Sequence, residues 1–127
     1  MKTRLILTIL GLFLIAGCSK TAQELLEMSD ENLKTNDIDA AVDDLNSLIS
    51  KYPEDSLAAL AQYKLSTIHL NWNNDLSSGF EALQHTVDNY PNSVQATQAK
   101  KEIENFPEYI LNNVESLRKR KMIKEAL

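Results

Sequence analysis

The chain has 127 residues, 43% hydrophobic and 24% charged, with a formal net charge of −5 and a single cysteine. That length fits one small domain and not a two-domain enzyme. One cysteine excludes a disulfide framework or a cysteine-based zinc cluster, and Gly79 as the only glycine beyond residue 17 excludes phosphate-cradling and dinucleotide-binding loops.

The first element is an address. Met1-Lys2-Thr3-Arg4 is basic, Leu5 to Ile15 is almost wholly apolar, and Ala16-Gly17-Cys18 follows. A basic start, a short apolar run and small residues before a cleavage point form a secretory signal, too short for the roughly 20 residues of a spanning helix. Leu14-Ile15-Ala16-Gly17-Cys18 resembles the bacterial lipobox. That resemblance implies cleavage after residue 17, lipid attachment at Cys18 and a membrane-anchored lipoprotein, with residues 18–21 as the tether. Ser19, in place of the Asp that retains many lipoproteins in the inner membrane, implies the periplasmic face of the outer membrane. Two or three acyl chains anchor stably where one holds only reversibly.

Without residues 1–17 the chain carries 11 basic against 18 acidic side chains, a net charge of −7. Nucleic-acid binding is disfavoured, since affinity there comes from neutralising phosphates. The charge is polarised: ten acidic residues lie between Glu24 and Asp55, against Lys34 and Lys51, while the last twelve residues hold five basic side chains and one acidic.

Beyond the tether the pattern is helical throughout. Thr21 to Thr35 carries Leu25, Leu26, Met28 and Leu33 and reads as a first helix. Ile38, Val42, Leu45 and Ile49 follow at i, i+4, i+7, i+11, one face of a second. Leu57, Leu60, Ala61, Leu65, Ile68 and Trp72 predict a third, opened by Asp55 or Ser56 as N-cap. Leu76, Phe80, Leu83 and Val87 predict a fourth, and Val94, Ala96, Ala99, Ile103 and Phe106 a fifth opened by Ser93. Pro53 and Pro91 end the helices before them. After Phe106-Pro107 a separate terminal helix is expected over Glu108 to Glu125, with Tyr109, Ile110, Val114 and Leu117 packed as a cap.

These elements repeat. An offset of 38 aligns residues 36–65 with 74–103, so that Asn36-Asp37 meets Asn74-Asp75, Leu45 meets Leu83, and Tyr52-Pro53 meets Tyr90-Pro91. Helix pairs at this period predict an all-α solenoid, in which each pair buries its apolar face by stacking on the next. The segment Tyr52 to Leu70, with Pro53, Asp55-Ser56, Ala61, Tyr63, Leu65 and Ile68, resembles the tetratricopeptide repeat. It is most similar to the variant with a Tyr-Pro-Asp/Asn-Ser linker in bacterial envelope proteins, such as the lipoprotein subunit of the β-barrel assembly machinery and the C-terminal domain of the Tol-Pal coordinator. The resemblance implies about two and a half helix pairs over residues 22–106, followed by a C-terminal capping helix over 107–127. In that alignment Ala41 and Gly79 take the small position of the second helix. Ser66 stands where the first helix usually has glycine, and His69 where it has an aromatic residue.

No residue set supplies catalysis, and no cofactor or metal is expected. His69 and His85 lack a second ligand at metal spacing: His69 falls on the packed stripe and His85 on an exposed face. Asp37, Asp39, Asp43 and Asp44 lack the order of a calcium loop and read as a solvated surface. Arg118-Lys119-Arg120-Lys121 has two readings, a helix C-terminus favoured by the macrodipole or a contact with anionic headgroups or an acidic partner. The candidate binding surface is the concave side lined by first helices, where Tyr63, Thr67 and Asn71 lie off the packed stripe, with Lys101 and Asn105 as 38-residue equivalents of the first two. The expected function is a lipid-anchored adaptor that binds protein partners in the envelope, with outer-membrane protein assembly as the process implied by resemblance. A self-associating structural or stress lipoprotein is the alternative.

Overall fold

The computed structural model describes residues 19–126; the expected signal segment and Cys18 lie outside the described residues. Five helices follow one another: α1 (Ala22–Lys34), α2 (Ile38–Lys51), α3 (Ser56–Asn71), α4 (Leu76–Asn89) and α5 (Val94–Ala126). No strand occurs among the described residues.

Local chemistry sets each boundary. Thr21 and Glu24 form a capping box, the Thr21 hydroxyl accepting from the Glu24 amide at 3.2 Å and the Glu24 carboxylate accepting from the Thr21 amide at 2.8 Å. Asn36 and Asn74 both take the left-handed conformation, at φ 62° and 50°. Asparagine tolerates that region better than other non-glycine residues, so each Asn-Asp pair reverses the chain without glycine. The Asp then caps the next helix: Asp37 accepts from the Ala40 amide at 3.2 Å and Asp75 from the Ser78 amide at 3.0 Å. At the two linkers, Asp55 accepts from the Leu57 amide at 2.8 Å and the Ser93 hydroxyl from the Ala96 amide at 3.0 Å.

α1 packs on α2 and α3 on α4, while α2 touches α3 and α4 touches α5. α1, α3 and α5 also touch in sequence, so the first helices of successive pairs line one side of the stack. Two apolar clusters hold it. The first joins Leu25, Leu26, Ala41, Leu45, Leu48, Ala58, Ala61, Leu65 and Ile68; the second joins Leu70, Leu83, Ala99 and Phe106, with Phe80 and Tyr109 against them. Phe106 sits centrally, its ring 4.7 Å from Phe80 and 5.8 Å from Tyr109 between centroids. Gly79 lets α4 approach α3: a Cβ there would lie 2.4 Å from Leu70 Cδ2. In the first pair Ala41 fills the equivalent place, because the residue 38 before Leu70 is Asn32, which instead donates to Asp44 at 2.8 Å.

The all-α short solenoid is as the sequence predicts, with three corrections. The expected helix over Glu108 to Glu125 is present, but it is not separate from the fifth: α5 runs unbroken through Pro107 for 33 residues. Pro107 is not a register equivalent of Pro53 or Pro91, since 38 residues before it stands His69, inside α3. Packing on both sides of Pro107 keeps the helix continuous: Phe106 is buried, and the Tyr109 hydroxyl donates to the Leu70 carbonyl at 3.3 Å. Second, the cap reaches only to Tyr109, because Val114 and Leu117 are 55% and 61% exposed. Third, Trp72 and Val94 are exposed although both fall on predicted stripes. Trp72 is the C-cap of α3 and Val94 the first residue of α5, so each stands at a helix end and not within the packed stripe.

Candidate functional site

Tyr63, Thr67, Asn71, Lys101 and Asn105 come together in one groove of about 470 Å³ between α3 and α5. The 38-residue period places them so, since the two helices are register equivalents lying side by side on the same face. Leu70, Glu102, Phe106 and Tyr109 complete the lining; from sequence Phe106 and Tyr109 read as packing residues, and none of the four was expected in the binding surface. Three of these four belong to the second apolar cluster, so the groove has an apolar floor continuous with the core and polar walls.

Tyr63 and Glu102 tie the two walls together, the phenol donating to the Glu102 carboxylate across the groove. Partial burial, and then this carboxylate as both acceptor and neighbouring charge, push the Tyr63 hydroxyl up to about 12. The phenol therefore stays protonated at any physiological pH and holds Glu102 in place. Thr67 and Asn105 turn back on their own helices: the Thr67 hydroxyl donates to the Tyr63 carbonyl at 3.4 Å and the Asn105 amide to the Lys101 carbonyl at 2.9 Å. Their remaining hydrogen-bonding capacity, with the exposed Asn71 and Lys101 side chains, faces solvent and is open to a ligand. Ser66, in the usual glycine position, is fully buried, and its hydroxyl donates to the Tyr63 carbonyl at 2.6 Å.

A larger concavity, about 750 Å³, lies along α1 and its tether beside Glu24, Glu27, Met28 and Glu31. Its described lining comes from one helix and the residues leading into it, whereas the α3–α5 groove converges polar groups from two elements over an aromatic floor. That convergence marks recognition sites, and the smaller groove is the candidate.

The remaining predicted residues fall elsewhere. Arg118, Lys119, Arg120 and Lys121 are exposed on the far end of α5, away from the groove. His85 is exposed beside Glu81 at 3.8 Å; His69 is half-buried, with its Nδ1 unpartnered. Asp37 caps α2 and Asp44 receives Asn32, so two of the four clustered aspartates have local structural roles. No group of three or more potential metal ligands occurs among the described residues. No helix among them is long and apolar enough to cross a membrane.

The chain leading into α1 is held at the first linker, where the Tyr52 hydroxyl donates to the Lys20 carbonyl at 2.7 Å and lies 3.4 Å from the Ser19 hydroxyl. Ser19 and Lys20 therefore lie at the end of the stack where α1 and α3 begin.

Comparison with known proteins gives one result. A family model described as tetratricopeptide repeat matches residues 12–55 and 60–93, more than half of the chain. The first range includes α1 and α2, and the second covers α4 and most of α3. No curated protein and no solved structure matches.

Proposed function

We infer the function from one premise: the chain belongs to the tetratricopeptide repeat family, and such repeats point to protein partners. On that premise it is a non-enzymatic adaptor, anchored by lipid at Cys18 in the bacterial envelope, that receives a partner's peptide segment in the α3–α5 groove. The observation that carries this reading is the convergence of Tyr63, Thr67, Asn71, Lys101 and Asn105 over the Leu70–Phe106–Tyr109 floor. The groove's mixed character suits an extended or helical segment carrying an apolar anchor flanked by polar groups.

The tether supports the anchored placement. Ser19 and Lys20 are fastened to Tyr52, so a lipidated Cys18 would hold the stack within about 10 Å of the bilayer, at roughly 3.3–3.6 Å per extended residue. The lipobox-like sequence favours the periplasmic face of the outer membrane, and the likeness to the barrel-assembly lipoprotein favours outer-membrane protein assembly as the process. Metabolic labelling with palmitate tests the anchor: label and membrane fractionation should both be present in the parent chain and lost in Cys18→Ser. An unlabelled parent protein, or a Cys18→Ser variant that still labels, would remove the lipoprotein half of the proposal.

A further inference from the structure

Proline inside a helix removes one hydrogen bond and crowds the turn before it. At Pro107 the missing donor is the one that would serve the Ile103 carbonyl, so α5 is least held by its own hydrogen bonds there. Helix kinks concentrate at such places. What keeps α5 continuous lies on either side of the proline. Phe106 is buried against Phe80 of α4, while Tyr109 stacks on Phe106 and donates to the Leu70 carbonyl at 3.3 Å. Among the described residues neither apolar cluster takes anything from α5 beyond Tyr109, and Ile110, Leu111, Val114 and Leu117 are exposed. Tyr109 is thus the last attachment of α5 to the stack.

That attachment is also part of the groove. The Leu70 carbonyl is one of the last four of α3, which lack donors within their own helix. The Ile68 carbonyl accepts from the Trp72 and Asn73 amides and the His69 carbonyl from the Asp75 amide, whereas the Leu70 carbonyl is served by the Tyr109 hydroxyl. Leu70, Asn71, Phe106 and Tyr109 all line the groove, so a segment seated on its floor meets the ring whose hydroxyl holds α5.

We propose that Pro107 is a hinge in α5 and Tyr109 its latch. A segment bound in the groove displaces the Tyr109 hydroxyl from Leu70, and residues 110–126 then swing as one helix. The exposed apolar side chains and the basic run at 118–121 move with it, so occupancy of the groove is transmitted to the far end of α5. A ligand shifts such an equilibrium only by binding one state better than the other. Here the open state frees the Tyr109 ring and the Leu70 carbonyl for the bound segment. The coupling rests on the groove as a recognition site; the hinge itself does not.

Distances between paired spin labels test the hinge, on the full chain in mild detergent with Cys18→Ser so that only introduced thiols are labelled. One pair, Gln84→Cys with Lys119→Cys, spans Pro107, and the other, Gln84→Cys with Gln98→Cys, lies before it; all three positions are exposed. Each pair should give one dominant distance. Tyr109→Phe removes only the hydroxyl and should raise the share of a second distance in the spanning pair about fivefold, as loss of one neutral hydrogen bond does. Adding Pro107→Ala should restore the single distance. A spanning pair unmoved by Tyr109→Phe, a second distance that survives Pro107→Ala, or a shift in the pair at 84 and 98 overturns the hinge. Photocrosslinking from position 63 in native membranes tests the coupling: Tyr109→Phe should capture a partner at least about twofold more strongly than the parent chain, because the latch no longer competes. Capture no stronger than the parent's overturns the coupling. No capture by either chain removes the groove reading and the coupling with it, while the label distances still decide the hinge.

Discussion

At the residue scale, Gly79 and Tyr63 each answer to one neighbour. In Gly79→Ala the added methyl would sit 2.4–2.5 Å from Leu70 Cδ2 and Cγ. Overpacking of this kind costs about 1–3 kcal/mol, against the about 1 kcal/mol that alanine gains over glycine in a helix. The variant should lose about 1 kcal/mol net in urea unfolding, and shortening the neighbour in Gly79→Ala/Leu70→Val should recover part of it. Tyr63 gives a pH prediction of definite sign. Its folded-state value of about 12 lies above the ordinary 10.0, so the stabilisation is fully present below pH 10 and is lost as pH rises through about 12. Absorbance titration near 295 nm should find one tyrosine ionising near 12, and Glu102→Gln should bring it down. A Tyr63 transition unmoved by Glu102→Gln would contradict the pairing across the groove.

At the element scale, the sequence made the helix pairs legible because capping residues and the 38-residue register are local signals. Asn36-Asp37 and Asn74-Asp75 reverse the chain and cap the next helix in the same two residues. Burial on the second helices was harder to read. Leu48 is fully buried but falls off the stripe of Ile38, Val42, Leu45 and Ile49. α2 is covered from two sides, by α1 and α3, and a single stripe describes only one of them. Its repeat equivalent is Thr86, fully buried with its hydroxyl donating to the Ala82 carbonyl at 2.8 Å, so the register comparison hid the position. Pro107 misled for another reason: proline in a helix interior costs about 3 kcal/mol, and only contacts distant in sequence, at Phe106 and Tyr109, hold α5 through it. A chain ending at Asn112 should therefore keep the parent's free energy of unfolding in urea within about 0.5 kcal/mol, since the residues removed are largely exposed. Phe106→Ala should lower it by about 3–5 kcal/mol. A truncated chain as unstable as Phe106→Ala would mean that the far half of α5 is part of the core.

At the scale of the whole molecule, the solenoid has two ends of different character. The tether is fixed at Tyr52, where the first helices begin, and the basic end of α5 lies at the opposite end of a helix about 50 Å long at 1.5 Å per residue. The proposed anchor at Cys18 would therefore hold the basic run at 118–121 away from the bilayer unless the stack lay flat on it. Sequence register alone brought five groove residues into view, because side chains 38 apart occupy the same place on adjacent first helices. It offers Tyr109 as well, the 38-residue equivalent of Asn71, but Pro107 reads as a helix end before it; Glu102, equivalent to Lys64, enters through a contact between α3 and α5 that no local pattern encodes. The adaptor reading rests on that groove, and photocrosslinking in native membranes tests it most directly. With a photoreactive residue at position 63 or 101, a discrete protein partner should be captured at both positions, and the capture should be lost when Thr67→Arg and Asn105→Arg fill the groove. Capture of lipid or of the chain itself alone, or a partner undiminished by those substitutions, would contradict it.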